Sequence, residues 1–345
     1  MIRYLLAFLV AMSTPDRAPA QEAVTRIGAG ATQVLLRSTT DIGILRPVIE
    51  RFADLNPDLA ITYEQWGSNT LFERSRDDCR GSGTQADAIL SSAVQQMVWL
   101  VNAACAHPHR STATLALPAI RRWRDELWGI TIEPAVIAYN RTLLQGDDIP
   151  RSRFALLDAM RTRPRFFRNR IATYDIAESG LGYLFAHSDS LEATTFGALL
   201  EGFSRVDAVA TCCSAEIIAG VAEGRYVIAY NVLGSYVLNS GSAEVGLIMP
   251  EDYTLLLSRA YMIPRGAAAK AEAIRLLEFL LTPEARTLLS RAGLFFEFEV
   301  GETGLSGSAL RFIPLSPTLL VARDANRRNL LLDFWNDTFQ RNVSP

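Results

Sequence analysis

The stretch from Val34 to Trp66 constrains the fold more than any other part of this chain. An apolar run, Val34-Leu35-Leu36, breaks into the polar cluster Ser38-Thr39-Thr40-Asp41. A helix-period pattern follows in Ile44, Val48, Ile49, Phe52 and Leu55, then Asn56-Pro57-Asp58 and a second apolar run through Ile61 and Tyr63. Strand, polar turn, helix and strand in that order predict an open α/β unit. Such units bind ligands at the carboxyl ends of their strands, where the free N–H groups of a helix start suit an anion.

The pattern recurs. Ile61 to Glu64 leads into Gly67-Ser68-Asn69-Thr70 and a helix, and Ala86 to Leu90 leads into Ser91-Ser92-Ala93 and a helix through Met97, Val98, Leu100 and Val101. Any one such loop reads first as a helix N-cap. Three at one sheet edge also read as a ligand-facing rim.

Met1 to Ala20 reads as an export signal: Arg3 in a short leading region, an apolar core from Leu5 to Met12 too short to span a bilayer, and Ala18-Pro19-Ala20 before Gln21. Cleavage after Ala20 gives a periplasmic protein; an uncleaved Leu5 to Met12 would be a weak anchor. Loss of Arg3, Asp16 and Arg17 moves the formal charge from −3 to −4, so there is no basic footprint for nucleic acid. The remaining length exceeds one ordinary core and predicts two lobes.

Rare residues close most routes to an enzyme. Lys270, in an alanine-rich helix start, is the only lysine, which leaves no candidate for a Walker loop or a pyridoxal Schiff base. Histidine occurs only at 107, 109 and 187, with no HExxH spacing, and no GxSxG elbow is present. No cofactor and no metal are expected.

Cys79 and Cys105 fall near the ends of the two helices flanking the Ala86–Leu90 strand, where an oxidising compartment allows them to pair or leaves them as two packed thiols. Cys212 and Cys213 are adjacent, which makes a mutual bond awkward. They read as small residues packed at a turn, and no CxxC spacing supports a redox role.

Trp128 to Asn140 is a long β-branched run broken at Glu133-Pro134, as a strand passing between lobes would be. Glu133 reads equally as a polar hinge residue and as a solvated charge at a strand end. Beyond it, the short strand Ile171–Tyr174 runs into Asp175-Ile176-Ala177-Glu178-Ser179-Gly180, Thr211-Cys212-Cys213-Ser214 precedes another helix, and Tyr226–Tyr230 ends at Asn231. Tyr253–Ile263 carries the chain back, and the tail Gly304–Pro345 is expected to wrap onto the first lobe.

Together the signal sequence, S-T-T-D at 38–41, A-I-L-S-S-A at 88–93, W-G-I-T-I-E-P-A-V-I-A-Y-N at 128–140, Y-N-V-L-G-S-Y at 230–236 and P-E-D-Y-T-L-L-L-S-R at 250–259 resemble the extracellular solute-binding proteins of ABC transporters. Within them the chain is most similar to the ferric-type branch that includes the phosphoglycerate transport regulatory protein and sugar-phosphate binders. The resemblance implies an α/β, type II periplasmic binding protein of two lobes. Each lobe is an open mixed sheet flanked by helices, and two crossover segments form the hinge. The implied limits are 31–133 with 250–345 for the first lobe and 134–249 for the second.

Carried over by position, the resemblance implies ligand contacts from Ser38, Thr39, Thr40, Ser68, Asn69, Ser91 and Ser92 in the first lobe. Glu133 falls at the crossover, and Asp175, Ser179, Gly180, Ser214 and Asn231 belong to the second lobe. The ligand is expected to be a small phosphorylated or carboxylated anion, neutralised by helix N-termini, hydroxyls and Arg37 or Arg259. Glu133 and Asp175 would then serve ligand hydroxyls or a bound cation. Iron-binding members carry a tyrosine pair where this chain has Thr211-Cys212-Cys213-Ser214, which speaks against ferric iron. The implied partner is an ABC permease or a membrane sensor kinase, with the protein itself a monomer. A ferric-binding protein of the same fold is the alternative, and a carboxylate-dependent hydrolase using Glu133 and Asp175 a weaker one.

Overall fold

A computed structural model describes residues 21–297 and 309–339. The expected signal sequence and part of the C-terminal tail lie outside the described residues. The strands are β1 (Gln21–Ile27), β2 (Thr32–Ser38), β3 (Leu59–Trp66), β4 (Ala88–Ser91), β5 (Arg122–Trp123), β6 (Leu127–Gly129) and β7 (Glu133–Asn140). They continue as β8 (Ile171–Tyr174), β9 (Val209–Thr211), β10 (Ile228–Leu233), β11 (Val245–Ile248), β12 (Thr254–Leu257), β13 (Ala260–Met262) and β14 (Leu310–Phe312).

Two seven-stranded sheets form. The first runs β1-β3-β2-β4-β13-β6-β5, and the second β14-β12-β7-β10-β8-β9, with β11 pairing β7. Both contain the same kernel. In the first, β3-β2-β4 are parallel and β13 is antiparallel beside them; in the second, β9-β8-β10 are parallel and β7 is antiparallel beside them. In each kernel the second strand lies outside the first and the third on its other side. All six parallel strands therefore send helix starts to one edge of their sheet.

Local sequence explains the first unit. Helix α1 (Ile42–Leu55) buries Ile44, Leu45, Val48, Ile49, Phe52 and Ala53, a stripe of three- and four-residue spacing. Each larger apolar side chain so buried contributes about 1.5–3 kcal/mol relative to exposure. Helices α2 (Ser68–Cys79) and α3 (Val94–Asn102) follow β3 and β4. A second apolar cluster around Met160, Phe167, Phe203, Tyr230 and Trp335 fills the space behind the second sheet.

The chain crosses between sheets at Ile130–Ile132 and again at Ser258–Arg259. The Ile130 N–H donates to the Arg259 carbonyl at 2.9 Å, and the Arg259 N–H donates to Thr131 Oγ1 at 2.9 Å, so the two crossovers move as one strap. By strand membership the return to the first sheet comes at Ala260 rather than at 250, because Thr254–Leu257 pairs with β7 and β14 in the second sheet. The tail is divided rather than wrapped on one lobe: Pro317–Arg323 lies against α3, whereas the helix Ala325–Phe339 packs on the helix Phe196–Arg205 of the second lobe.

Cys79 and Cys105 are bonded, with Cα atoms 5.5 Å apart and a sequence separation of 26. In the chain-entropy account a loop of that size stabilises by about 3–4 kcal/mol. The expectation for Cys212 and Cys213 is overturned. They are bonded to each other across a single peptide unit, which confines the turn before the helix Ser214–Ala222.

Candidate functional site

The carboxyl ends of the six parallel strands meet across the gap between the sheets and line an open pocket of about 140 Å³. The first lobe lines it with Thr39 after β2, Trp66, Gly67 and Ser68 at the end of β3, and Ser92 after β4. The second supplies Tyr174 and Ser179 after β8, Cys212, Cys213 and Ser214 after β9, and Leu233 with Tyr236 from the β10 end. Glu22, Asp41, Gln65, Leu181, Ala215 and Arg259 complete the wall.

Of the helices that open here only Gly180–Glu192 is capped by its N-cap side chain, through Ser179; among the others, two have their first residue, Ser68 or Ser214, on the pocket wall. Gly67 precedes α2 and Cys213 precedes Ser214–Ala222, and neither supplies an acceptor to the first turn. A helix start leaves its first N–H groups without an intrahelical partner, so each end presents donors and about half a positive charge. These two starts come from opposite sheets. Hydroxyls surround them: Thr39 Oγ1 accepts from the Ser92 N–H at 2.9 Å and lies 3.1 Å from Ser92 Oγ, while Ser214 Oγ is bonded to the Tyr174 hydroxyl. Burial pushes the Tyr174 phenol up to about 12, so it stays protonated as a donor.

The side chains leave the wall net negative: Arg259 is spent on Glu133, while Asp41 and Glu22 have only neutral partners. Arg259 donates to Glu133 Oε1 at 2.7 Å and Oε2 at 3.2 Å, with a further bond to Thr40 Oγ1 at 3.0 Å. Burial alone would lower the arginine's pKa, but the Glu133 carboxylate together with the Tyr236 and Tyr63 phenols raises it on balance, so the guanidinium stays charged. Asp41 accepts from the Tyr236 hydroxyl at 2.8 Å, and Glu22 accepts from the Gln65 amide at 2.9 Å. Attraction for an anion must therefore come from backbone ends and hydroxyls rather than from a surplus of basic side chains.

Of the residues expected from sequence, Thr39, Ser68, Ser92, Ser179, Ser214 and Arg259 line the pocket. The others do not, and each has a physical reason. Ser38 and Ser91 turn inward and accept from the N–H groups of Thr40 and Ala93, and Thr40 is held by Arg259. Glu133 is fully buried, accepting from Thr131, Ser235 and Arg259, so it is the counter-ion of the crossover rather than a ligand for hydroxyls or cations. Asp175 closes its own turn onto Ala177 and Glu178. Asn231, at φ +56°, reaches back to Asp189 behind the second sheet. Arg37 is likewise committed, to Glu64 at 2.8 Å and Asp78 at 2.5 Å, beneath the Trp66 ring.

Asn69 and Gly180 form a latch across the cleft instead of touching the pocket. Asn69 Nδ2 donates to the carbonyls of Ala177 and Glu178 at 2.9 and 2.8 Å, and the Gly180 N–H donates to Ser68 Oγ at 2.8 Å. Gln96 donates to Asn69 Oδ1 and Gln95 to the Gly180 carbonyl, both at 2.7 Å. A Cβ on Gly180 would stand 2.5 Å from Gln96 Nε2, so any larger residue there would push the Gln96 amide from its place in the latch.

The lining residues that sequence reasoning missed are Tyr174, Tyr236, Trp66, the cysteine pair, Asp41, Glu22 and Gln65. Tyr174 and Tyr236 end or follow apolar runs and read as core. Asp41 carried a signal as the last residue of the S-T-T-D cluster, and the cysteine pair carried one as part of Thr211-Cys212-Cys213-Ser214 ahead of a helix. Among the described residues no group of three or more histidine, cysteine and acidic side chains could hold a metal ion, and no helix is long and apolar enough to cross a membrane.

This is the fold of the substrate-binding proteins of ABC transporters, with the type II strand order in both lobes. A substrate-binding protein of an ABC transporter from Agrobacterium tumefaciens is 29% identical and superposes with a TM-score of 0.87 over 93% of this chain and 100% of that one. Apo ferric ion-binding protein A from Pasteurella haemolytica is 17% identical, TM-score 0.68, over 91% and 100% of the two chains. Iron-bound HitA from Pseudomonas aeruginosa is 16% identical, TM-score 0.65, over 89% and 99%. These neighbours are binding proteins, not enzymes. No family model matches the sequence, and a search of curated proteins finds no relative.

Proposed function

We propose that this protein is an exported receptor that closes on a small phosphorylated or carboxylated metabolite and delivers it to an ABC permease. One observation carries the reading: two uncapped helix starts from opposite sheets, α2 at Gly67 and the helix Ser214–Ala222 at Cys213, open onto one hydroxyl-lined pocket. A ligand anion meets both sets of donors only when the lobes are together, so it binds the closed state more tightly and shifts the population toward it. The Asp41 and Glu22 carboxylates in the same wall favour a ligand that also carries hydroxyl or ammonium groups. The pocket of about 140 Å³ adjoins a wider cavity of about 530 Å³ that shares Asp41, Gln65, Ala215 and Tyr236, so it seats the acid group while the rest of the ligand has room to extend.

Thermal-shift and calorimetric titration with inorganic phosphate, phosphoglycerates, sugar phosphates, and di- and tricarboxylates tests this directly. Saturating ligand at about 100 times its Kd stabilises by about 2.7 kcal/mol. Flat responses to every anion would remove the reading.

Ferric ion is the second reading, and the observation favouring it is that Tyr174, Tyr236, Asp41 and Glu22 are all oxygen donors on the pocket wall. Those phenols are held by Ser214 and Asp41, and burial keeps both protonated. A visible phenolate-to-iron charge-transfer band on addition of ferric salt would establish it, and its absence at saturating metal would dismiss it.

A further inference from the structure

The two disulfides sit in different surroundings. Cys79–Cys105 staples the ends of α2 and α3, with Cys105 buried. Cys212–Cys213 closes almost no loop, so it adds little as a fold staple, yet both its residues are part-exposed on the wall of the candidate pocket. Cys213 is also the residue before the helix Ser214–Ala222, whose uncapped N–H groups face that pocket.

We propose that Cys212–Cys213 is a reversible thiol–disulfide site in the cleft wall, and that its reduction weakens anion binding by placing a thiolate at the start of the helix Ser214–Ala222. The second half rests on the anion reading above; the first half does not. The co-reactant is a dithiol. Its thiolate attacks one cysteine sulfur, the Sγ–Sγ bond breaks, and a mixed disulfide forms. The second thiol of the reductant then displaces the protein sulfur and leaves as a cyclic disulfide. Two electrons have passed to the protein, and the two protons of the dithiol end on Cys212 and Cys213.

A thiol at a helix N-terminus ionises more readily than a free one, because the same N–H groups and dipole that favour a ligand anion favour the thiolate. The two then compete for one set of donors. The ionisable groups that share the surroundings are Glu22 and Asp41 from the first lobe, Tyr174, Tyr236 and Arg259, and Glu216 in the first turn of the helix, whose carboxylate accepts from Thr211 Oγ1. The neighbouring carboxylates oppose ionisation, so the helix end and Arg259 set its extent. In the oxidised form neither sulfur carries charge, and the donors are left to the ligand.

The test uses the full exported chain. Iodoacetamide labelling without reductant, read by peptide mass mapping, should leave all four cysteines unmodified. A dithiothreitol titration should then expose Cys212 and Cys213 before Cys79 and Cys105. Label on Cys212 or Cys213 before reduction, or release of both pairs together, would overturn the proposed site. In calorimetry with inorganic phosphate as the probe, the selectively reduced protein should bind at least tenfold more weakly than the oxidised one. A Cys212→Ser/Cys213→Ser variant should show one affinity with and without dithiothreitol. Equal phosphate affinity in the two redox states of the native chain would overturn the competition. Failure of the oxidised protein to bind phosphate or any other anion would instead remove the anion reading, while the labelling result still decides whether the thiol–disulfide site exists.

Discussion

Two buried arginines show how the same chemistry can serve different ends. Arg153 and Arg259 are both almost wholly shielded from solvent, and each faces a buried carboxylate. Arg153 belongs to one lobe. It bonds Asp189 at 3.1 Å and Asp252 at 3.2 Å, lies 3.6 Å from the Tyr253 ring centre, and meets the Tyr230 hydroxyl at 2.7 Å. Asp189 in turn accepts from Tyr230, Asn231 and Tyr253, so the cluster braces the rear of the second sheet. Arg259 instead ties the two crossovers to each other through Glu133 and Thr131, reaches Thr40 of the first lobe, and forms part of the pocket wall. What a buried ion pair does is thus set by which elements it joins, and its partners in sequence say little about that.

The sharpest way to break the comparison is Asp189→Ala, which strips the acceptor from Arg153, two tyrosines and Asn231. Removing one partner of a buried pair costs about 3–5 kcal/mol. Urea unfolding should show that loss, while phosphate affinity of the folded fraction stays within twofold; a large change in affinity would mean that the rear cluster reaches the cleft. Glu133→Gln comes next. It should cost about 3 kcal/mol and at the same time tighten anion binding, because the Arg259 charge is no longer cancelled. Lost stability with unchanged affinity would confine Arg259 to the hinge.

The phenol at the edge of the pocket gives a pH test. The folded value of Tyr174 is raised to about 12, from an ordinary value near 10, by burial. Between those two values the unfolded chain releases the proton and the folded one keeps it, so the contribution is whole below pH 10 and is lost as pH rises through about 12. Tyr174→Phe should therefore flatten the alkaline fall in stability over that window by about 1–3 kcal/mol relative to the native chain. Parallel pH–stability curves would contradict it. The smallest effect is expected from Asn69→Ala, which removes three latch bonds, two donated by Asn69 and one accepted from Gln96, at about 1 kcal/mol each or less. Calorimetry should register a few-fold weaker binding with the melting temperature little changed.

The α/β kernels were legible because each strand, polar turn and amphipathic helix is a local pattern, as from Val34 through Phe52 to Tyr63. The break at Glu133-Pro134 was legible for the same reason, and β6 and β7 end and begin beside it. Which hydroxyl faces the pocket was not. Ser38 and Thr39 are neighbours with opposite directions, and Ser91 and Ser92 repeat the case, since a strand end sends successive side chains to opposite faces. The partnership of Glu133 with Arg259, 126 residues apart, and the latch from Asn69 to Ala177 and Glu178 exist only once the sheets are placed. The bonding of Cys212 to Cys213 defied the sequence reading because it depends on the backbone of one turn.

The Asn69 latch has a consequence for sensitivity. Its bonds run from protein to protein, so part of the free energy of closure is supplied before any solute contributes, and a solute must furnish only the remainder. A built-in bias of this kind raises response at low solute concentration and narrows the dynamic range to the extent that it populates the shut form without solute. Anything that docks on that shut outline would meet a standing background, whose level is written in the side chains at 68, 69, 95 and 96.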